Sequence, residues 1–353
     1  MLSGRTGDCL KTPATLFAIS TLVPVPLIAA SAIWGGWTLL VTLLYLTVFV
    51  FALDELVHVT ATDTYADTEF PASDALTIIL AFAYFALLPL VVWAICANPA
   101  LGWAEQIALF FAAGVFFGQI SNANGHELIH RTNRFQFNLG VWIYISLLFG
   151  HHASAHRLVH HIHVASDQDP NSARLNESFY HFAWRAWIGS FKRGFQAEAQ
   201  RQRKSGINPY FQYIAGSCFI MLLVLFAGGA TAVAVYMALA AQATSQLLMS
   251  DYVQHYGLRR GIAPDGKPAP VDMRHSWNAP HWFSRHMMLN APRHSDHHAH
   301  PGRKFPELVQ PKTAPVLPYS LPVMGALALF PRAFRKIMNP KVAAIGADAI
   351  KAP

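Results

Sequence analysis

The chain is predicted to be an all-α integral membrane protein of about six transmembrane helices that carry a cytoplasmic, histidine-rich catalytic region. Three observations predict this. Of 353 residues, 53% are hydrophobic and only 13% charged, about half the ~25% charged fraction of soluble domains. Long stretches carry no charge at all, and their lengths suit a bilayer crossing. Eighteen histidines are present, and the densest groups follow directly on the ends of those stretches.

The elements follow in chain order. From Thr12 to Leu53 no residue is charged, and the Gly35-Gly36 pair divides the run into two stretches, each close to the ~20 residues a spanning helix needs. These are spans one and two, a helical hairpin. The uncharged run from Ala75 to Ala104 holds span three, ending near the Asn98-Pro99 turn signal, and Gln106 to His126 is span four. Ser205 to Ser250 again lacks charge and is broken by Gly228-Gly229, giving spans five and six. Phe135 to Gly150 is apolar but short, and is placed as a buried or membrane-surface helix. Thr313 to Pro331 is apolar too, but Pro315, Pro318, Pro322 and Pro331 forbid a continuous spanning helix. It is expected to lie against the cytoplasmic surface.

Charge sets the orientation. Arg5 and Lys11 are the only basic residues before position 131, and the rest of the 26 Lys and Arg fall between Arg131 and Lys204 or between Arg259 and Lys351. Positive charge collects on the cytoplasmic side. An even number of spans then puts both termini, both basic segments and the histidines there. The chain accordingly divides into 1–121, helices one to four; 122–208, a cytoplasmic segment; 209–250, helices five and six; and 251–353, a second cytoplasmic segment with the C-terminal tail. The same bias accounts for the net charge of +7 without a nucleic-acid partner, for which no aromatic stacking motif is present. The first apolar run continues straight into a second span and lacks a small-residue cleavage site, which argues against a removed signal peptide. Cys9, Cys96 and Cys218 lie far apart with no C-x-x-C pair, so neither a disulfide framework nor a thiolate metal site is legible.

The histidines form a constellation. His126 and His130 stand four apart at the end of span four, on one helical face. His156-x-x-x-His160-His161 repeats the device, and His294-Ser-Asp-His297-His298 does so again. His255 follows span six. The His126-Glu127-x-x-His130 spacing also suits a zinc protease with Glu127 as general base, but such a site needs three protein ligands and leaves the other clustered histidines without a role. Nine imidazoles exceed what one ion can hold. Two six-coordinate transition metals with positions left open for oxygen fit the count, and imidazole suits iron, copper, zinc and nickel alike. His58, His181, His275, His281 and His286 are read as surface or packing residues. His151, His152 and His163 border the second cluster, and His300 belongs to the third without the needed spacing.

Gly125-His-Glu-Leu-Ile-His-Arg131, His156-Arg-Leu-Val-His-His161 with Val164-Ala-Ser-Asp-Gln-Asp-Pro170, Tyr252-Val-Gln-His-Tyr-Gly-Leu258 and Arg293-His-Ser-Asp-His-His-Ala-His-Pro301 resemble the histidine boxes of the bacterial membrane alkane 1-monooxygenases. The resemblance extends from about span one through Phe330-Pro-Arg-Ala-Phe-Arg-Lys-Ile-Met-Asn-Pro340 and so covers nearly the whole chain. It implies a bacterial inner-membrane enzyme whose non-haem di-iron centre, two Fe ions, uses O2 to hydroxylate the terminal carbon of medium- or long-chain alkanes taken from the bilayer. Rubredoxin and its NADH-dependent reductase would supply electrons. The implied iron ligands are His126, His130, His156, His160, His161, His255, His294, His297 and His298. Arg131, Ala155, Val159, Asp251 and Gln254 depart from the family's usual Lys, Glu, Gly, Asn and Glu, which removes no ligand and leaves the substrate open.

Glu127, Asp167, Asp169, Asp251 and Asp296 sit beside ligands and are candidates to accept the second ring N–H of a metal-bound imidazole. Counted back from His126 at about 100° per residue, Val115, Ala112 and Ala108 share its face and are the candidate substrate channel, although small residues there suit helix packing equally. Gln119 interrupts the stripe and is expected to bond between helices. Alternatives to the alkane reading are a xylene-type aromatic methyl hydroxylase and a fatty-acyl desaturase or lipid hydroxylase. A histidine-rich metal transporter or sensor would need ionisable groups inside the spans, where there are almost none.

Overall fold

The computed structural model describes residues 15–56, 72–201, 206–263, 266, 268–310 and 312–351; His58 lies outside them. Among these residues the fold is helical, and β pairing is limited to two isolated bridges, Ile262 with Pro268 and Asn278 with Val316.

Among the described residues five helical segments are long and apolar enough to cross a bilayer. Thr15–Trp34 consists of α1 (Thr15–Leu22) and α2 (Pro24–Trp34), parted where Pro24 cannot donate a helical hydrogen bond. The chain reverses at Gly35, whose φ of 61° and ψ of −144° suit glycine. It returns as Gly36–Leu56, which begins as α3 (Gly36–Leu44) and loosens into π-helical turns at Tyr45–Phe49 and Ala52–Leu56. The predicted first hairpin is therefore present. The third segment is α4 (Ala72–Ala97). Just past its end the Asn98 amide donates to the carbonyls of Ala32 (2.8 Å) and Ile33 (3.0 Å), tying it to the hairpin tip. The fourth, Trp103–Ile129, is α5 (Trp103–Val115), a π-helical turn (Phe116–Ser121) and α6 (Asn122–Ile129). The fifth is α11 (Tyr210–His255), 46 residues interrupted at Gly229 (φ 69°, ψ −168°). Its two arms, 210–228 and 230–255, stand where spans five and six were expected.

Between the fourth and fifth segments, α7 (Arg134–Ser146) is capped by the Asn133 side chain, which accepts from the N–H groups of Phe135 and Gln136, and lies buried against α6. This is the short apolar stretch for which the sequence predicts a buried or membrane-surface helix, and of the two it is the buried one. Next come α8 (His152–Ala155), a π-helical turn (His156–His160) and α9 (His161–His163), with α10 (Phe179–Gln200) packed on them. After α11 the chain is mostly irregular around α12 (Trp282–Met287) and α13 (His294–Ala299), and then closes with α14 (Leu321–Ala328) and α15 (Pro331–Lys351). The prolines of 313–331 leave only eight residues of helix in that stretch, as their missing donors require.

Two apolar clusters hold the molecule together. One joins the spans through Leu80, Tyr84, Leu109, Phe116 and Leu239. The other, with Tyr144, Phe182, Tyr252 and Phe334, underlies the histidine-bearing segments. Large apolar side chains such as Trp34, Trp37 and Phe226 stay exposed on the outside of the spans, where lipid rather than protein covers them.

Candidate metal centre

The nine singled-out histidines come from four parts of the chain and meet. His126 lies in the last turn of α6 and His130 is its C-cap. His255 ends α11, while His294, His297 and His298 ride on α13. The first turn of α12 is pinned by the Asp54 carboxylate of the second segment, which accepts from the N–H groups of Phe283 (2.8 Å) and Ser284 (3.1 Å).

Among the described residues the nitrogens fall into two groups, His126, His130, His156, His161 and His297 in one and His160, His255, His294 and His298 in the other, with ligand atoms within 4.8 Å of one another. The groups adjoin, since the His161 and His298 ring centroids are 4.6 Å apart. The i, i+4 pairs His126/His130 and His294/His298 stay together as their spacing dictates. His156 and His160 do not. The π-helical turn at His156–His160 bonds residue i to i+5, and His156 shares its group with His161 instead.

The contacts fit a metal better than they fit imidazoles alone. Nε2 of His156 lies 2.8 Å from Nε2 of His126 and 2.9 Å from that of His161. Nε2 of His294 lies 3.0 Å from that of His255 and 3.1 Å from that of His298. Ligands bonded at about 2.0–2.1 Å and set at right angles have nitrogens about 3 Å apart. The Nε2 atoms of His130 and His160 are buried with no hydrogen-bond partner, as a ligand atom facing a metal would be once the metal is left out of the count. Burial, with mutual repulsion second, holds the pKa values of His130, His156, His161, His294, His297 and His298 well below the ordinary value. They are therefore neutral, the form that binds a metal.

Two of the nine histidines have their second nitrogen fixed. His160 Nδ1 is 2.9 Å from Asp169 Oδ2. Burial opposes charge on both, but their attraction prevails, lowering the Asp169 carboxyl and raising the His160 imidazole. His255 Nδ1 donates to the His275 carbonyl at 3.3 Å. The other four acidic candidates do not bond a ring of the nine histidines. Glu127 pairs with Arg131 and accepts from the Phe305 N–H, which turns it from the histidines and removes the zinc-protease reading. Asp296 is fully buried and holds His300, Arg303 and the Val309 N–H. Asp251 accepts from Asn171 Nδ2 at 2.7 Å, and Asp167 is exposed beside Arg259.

A cavity of about 100 Å³ borders both groups through His126, His156 and His294, and is walled by the π-turn and α6, the second arm of α11, α14 and Met288. The proposed stripe is not in it. Ala112 is 1% exposed in the core, and Val115 and Ala108 pack against that core. Counting back at the α-helical angle fails because the π-helical turn Phe116–Ser121 intervenes. The wall on this helix begins instead at Gly118 and Gln119 and continues through Asn122. Gln119, expected between helices, faces the cavity with its Oε1 unpartnered. His152 and Tyr144 also line it. Asn122 stands four residues before His126 and His152 four before His156, spacings that the sequence shows; Tyr144 comes from a separate element and carries no local signal. His151 bonds Ser190 (3.2 Å), His181 bonds Glu177 (2.8 Å) and His286 bonds the Trp282 carbonyl (2.6 Å), so these pack as ordinary histidines.

Fold and site define an all-α membrane protein with a polyhistidine metal-binding centre. Residues 101–327, which hold every one of the nine histidines, match the fatty acid desaturase family, and the chain belongs to that family. Alkane 1-monooxygenase of Pseudomonas putida is 32% identical over 251 residues, covering 69% of this chain and 62% of the relative. Alkane 1-monooxygenase 1 of Alcanivorax borkumensis is 32% identical over 265 residues, covering 73% and 65%. The hydroxylase component of the Pseudomonas putida xylene/toluene monooxygenase is 28% identical over 226 residues, covering 62% and 59%. The chain thus spans somewhat less than two thirds of the length of these relatives.

Proposed function

We propose that the chain is a membrane alkane 1-monooxygenase that converts medium- or long-chain alkanes to 1-alkanols with O2 at a centre of two iron ions. The observation that carries this reading is the convergence of nine imidazole nitrogens into two adjoining groups that border one cavity. His126, His130, His156, His161 and His297 would hold one ion, and His160, His255, His294 and His298 the other. Bound iron supplies the O2 chemistry that no side chain offers.

The chain's own residues do the rest. Asp169 and the His275 carbonyl hold His160 and His255 with Nε2 turned inward. Leu247, Met249, Met288 and Leu321 give the cavity apolar wall for an alkyl chain. With no cysteine pair and no Gly-x-Gly-x-x-Gly fingerprint, reducing equivalents must come from another protein, which we assign as rubredoxin served by its NADH-dependent reductase. The positive-inside rule supports a bacterial inner-membrane protein with both termini and the metal site cytoplasmic.

The likeness to the xylene/toluene enzyme keeps aromatic methyl hydroxylation as a second reading. The test feeds the reconstituted, iron-loaded protein a mixture of alkanes, xylenes and acyl lipids with rubredoxin and reductase. 1-Alkanols as the main product support the proposal, and benzylic alcohols or unsaturated acyl chains replace it.

A further inference from the structure

Helix α10 has three faces where a water-soluble surface helix has two. At 100° per residue, Phe182, Ala186, Ser190 and Gly194 fall on one side and are buried, packed toward α8 and the π-helical turn that carries His156 and His160. Lys192 and Gln196 mark a polar side, both exposed. Between these lies an arc of about 100° made of Tyr180, Trp184, Trp187, Ile188, Phe191 and Phe195, all exposed, with Trp184 at 67%. Six large apolar side chains over nearly the whole helix make a patch that a water-facing surface rarely tolerates.

The patch adjoins further exposed apolar surface at both ends. At its C-terminal end the Phe195 carbonyl accepts from Asn208 Nδ2 at 3.5 Å, and exposed Ile207, then Phe211, Ile214 and Phe219 on the first arm of α11, carry the apolar surface on along a segment long and apolar enough to cross a bilayer. At its N-terminal end the Tyr180 hydroxyl donates to the Leu329 carbonyl at 2.9 Å, beside exposed Leu329 and Phe330. Aromatic side chains rich in Trp and Tyr, flanked by Lys, are the composition that settles at the headgroup level.

We propose that α10 is an interfacial helix, lying in the plane of the bilayer surface with its aromatic face in the headgroup and upper acyl region. Its partner is the lipid surface. The second histidine cluster then rests, through the buried face of α10, on the membrane itself, which sets the height of the histidine centre at the lipid boundary rather than out in solution.

Nitroxide scanning of the full chain in phosphatidylcholine bilayers tests this, with Cys9, Cys96 and Cys218 replaced by Ser. Labels placed singly at Trp184, Phe191 and Phe195 are expected to collide severalfold more with dissolved oxygen than with a water-soluble nickel chelate. Labels at Lys192 and Gln196 should show the reverse preference. Chelate access at 184 and 191 equal to that at 192 would overturn the proposal by placing the face in water. Shielding of 184 and 191 from both reagents would overturn it too, by showing protein over the face. As a check independent of labels, native tryptophan fluorescence should be quenched by lipids brominated near the headgroup, and Trp184→Leu with Trp187→Leu should remove a measurable part of that quenching; an unchanged quenched fraction also counts against the proposal.

Discussion

At the scale of single residues, the contact between Asp169 and His160 carries the clearest prediction. Asp169 is 2% exposed, accepts from Ser172 and the Asn171 N–H, and so has one oxygen orientation available to it. Asp169→Asn keeps the shape but can present its NH2 to the ring, which frees the imidazole to turn. We expect metal affinity to fall about 10- to 100-fold, measured by competition with a chelator. Affinity equal to wild type would show that His160 is oriented by packing alone. The two groups of nitrogens make a second prediction. His297→Ala and His298→Ala are neighbours in sequence but belong to different groups, so each should lose about half of the bound metal, and a different half, as read by elemental analysis and by the spectrum of the metal that remains. Loss of all metal in both would mean that the groups bind as one unit.

At the scale of elements, two changes test how helices hold the site. Glu177 starts the turn into α10: it takes the Arg185 guanidinium at 2.7 Å and the Arg174 N–H at 2.9 Å. Burial works against its charge, but Arg185 and that N–H outweigh it and bring its pKa from 4.5 to about 2. A lowered folded-state pKa stabilises above the unfolded value and is lost as pH falls through the folded one. The thermal stability gap between wild type and Glu177→Gln should therefore be constant above pH 4.5 and narrow as pH falls toward about 2. A gap independent of pH would sink this account. In α5, Ala112 sits in the core at 1% exposure, so Ala112→Phe should overpack it, at a cost of about 1–3 kcal/mol. The expected result is less monodisperse protein after extraction and no change in the longest substrate accepted. Leu247→Phe, on the cavity wall, should instead shift the product distribution while leaving metal content intact.

At the scale of the whole molecule, the asymmetry of charge bears on partners. The basic residues are gathered in two segments of the chain, so an acidic electron donor should dock by attraction that salt screens. We expect turnover at limiting donor to fall several-fold between low and physiological ionic strength, and NADH with the purified chain alone to support none. Steady turnover without a donor protein would contradict the absence of any flavin or thiolate cofactor motif.

The residues alone determined the membrane class, the placing of the spans and the nine histidines, because these depend on composition and short spacing. Apolar runs of about 20 residues satisfy their backbone in lipid as helices, and Gly35 and Gly229 mark the reversal and the break between such runs. Tertiary structure decided how the histidines divide and what lies beside them. His156 pairs with His161 rather than His160 because of a π-helical turn, and another such turn in the fourth span carries the cavity away from Val115, Ala112 and Ala108. Both shift the face a residue presents, which a period of 3.6 cannot foresee. Likewise Glu127 and Asp296 lie inside the histidine motifs yet bond other partners, since which neighbour a carboxylate meets depends on segments such as 303–309 that are remote in sequence from Glu127 and reach both residues only in the folded chain.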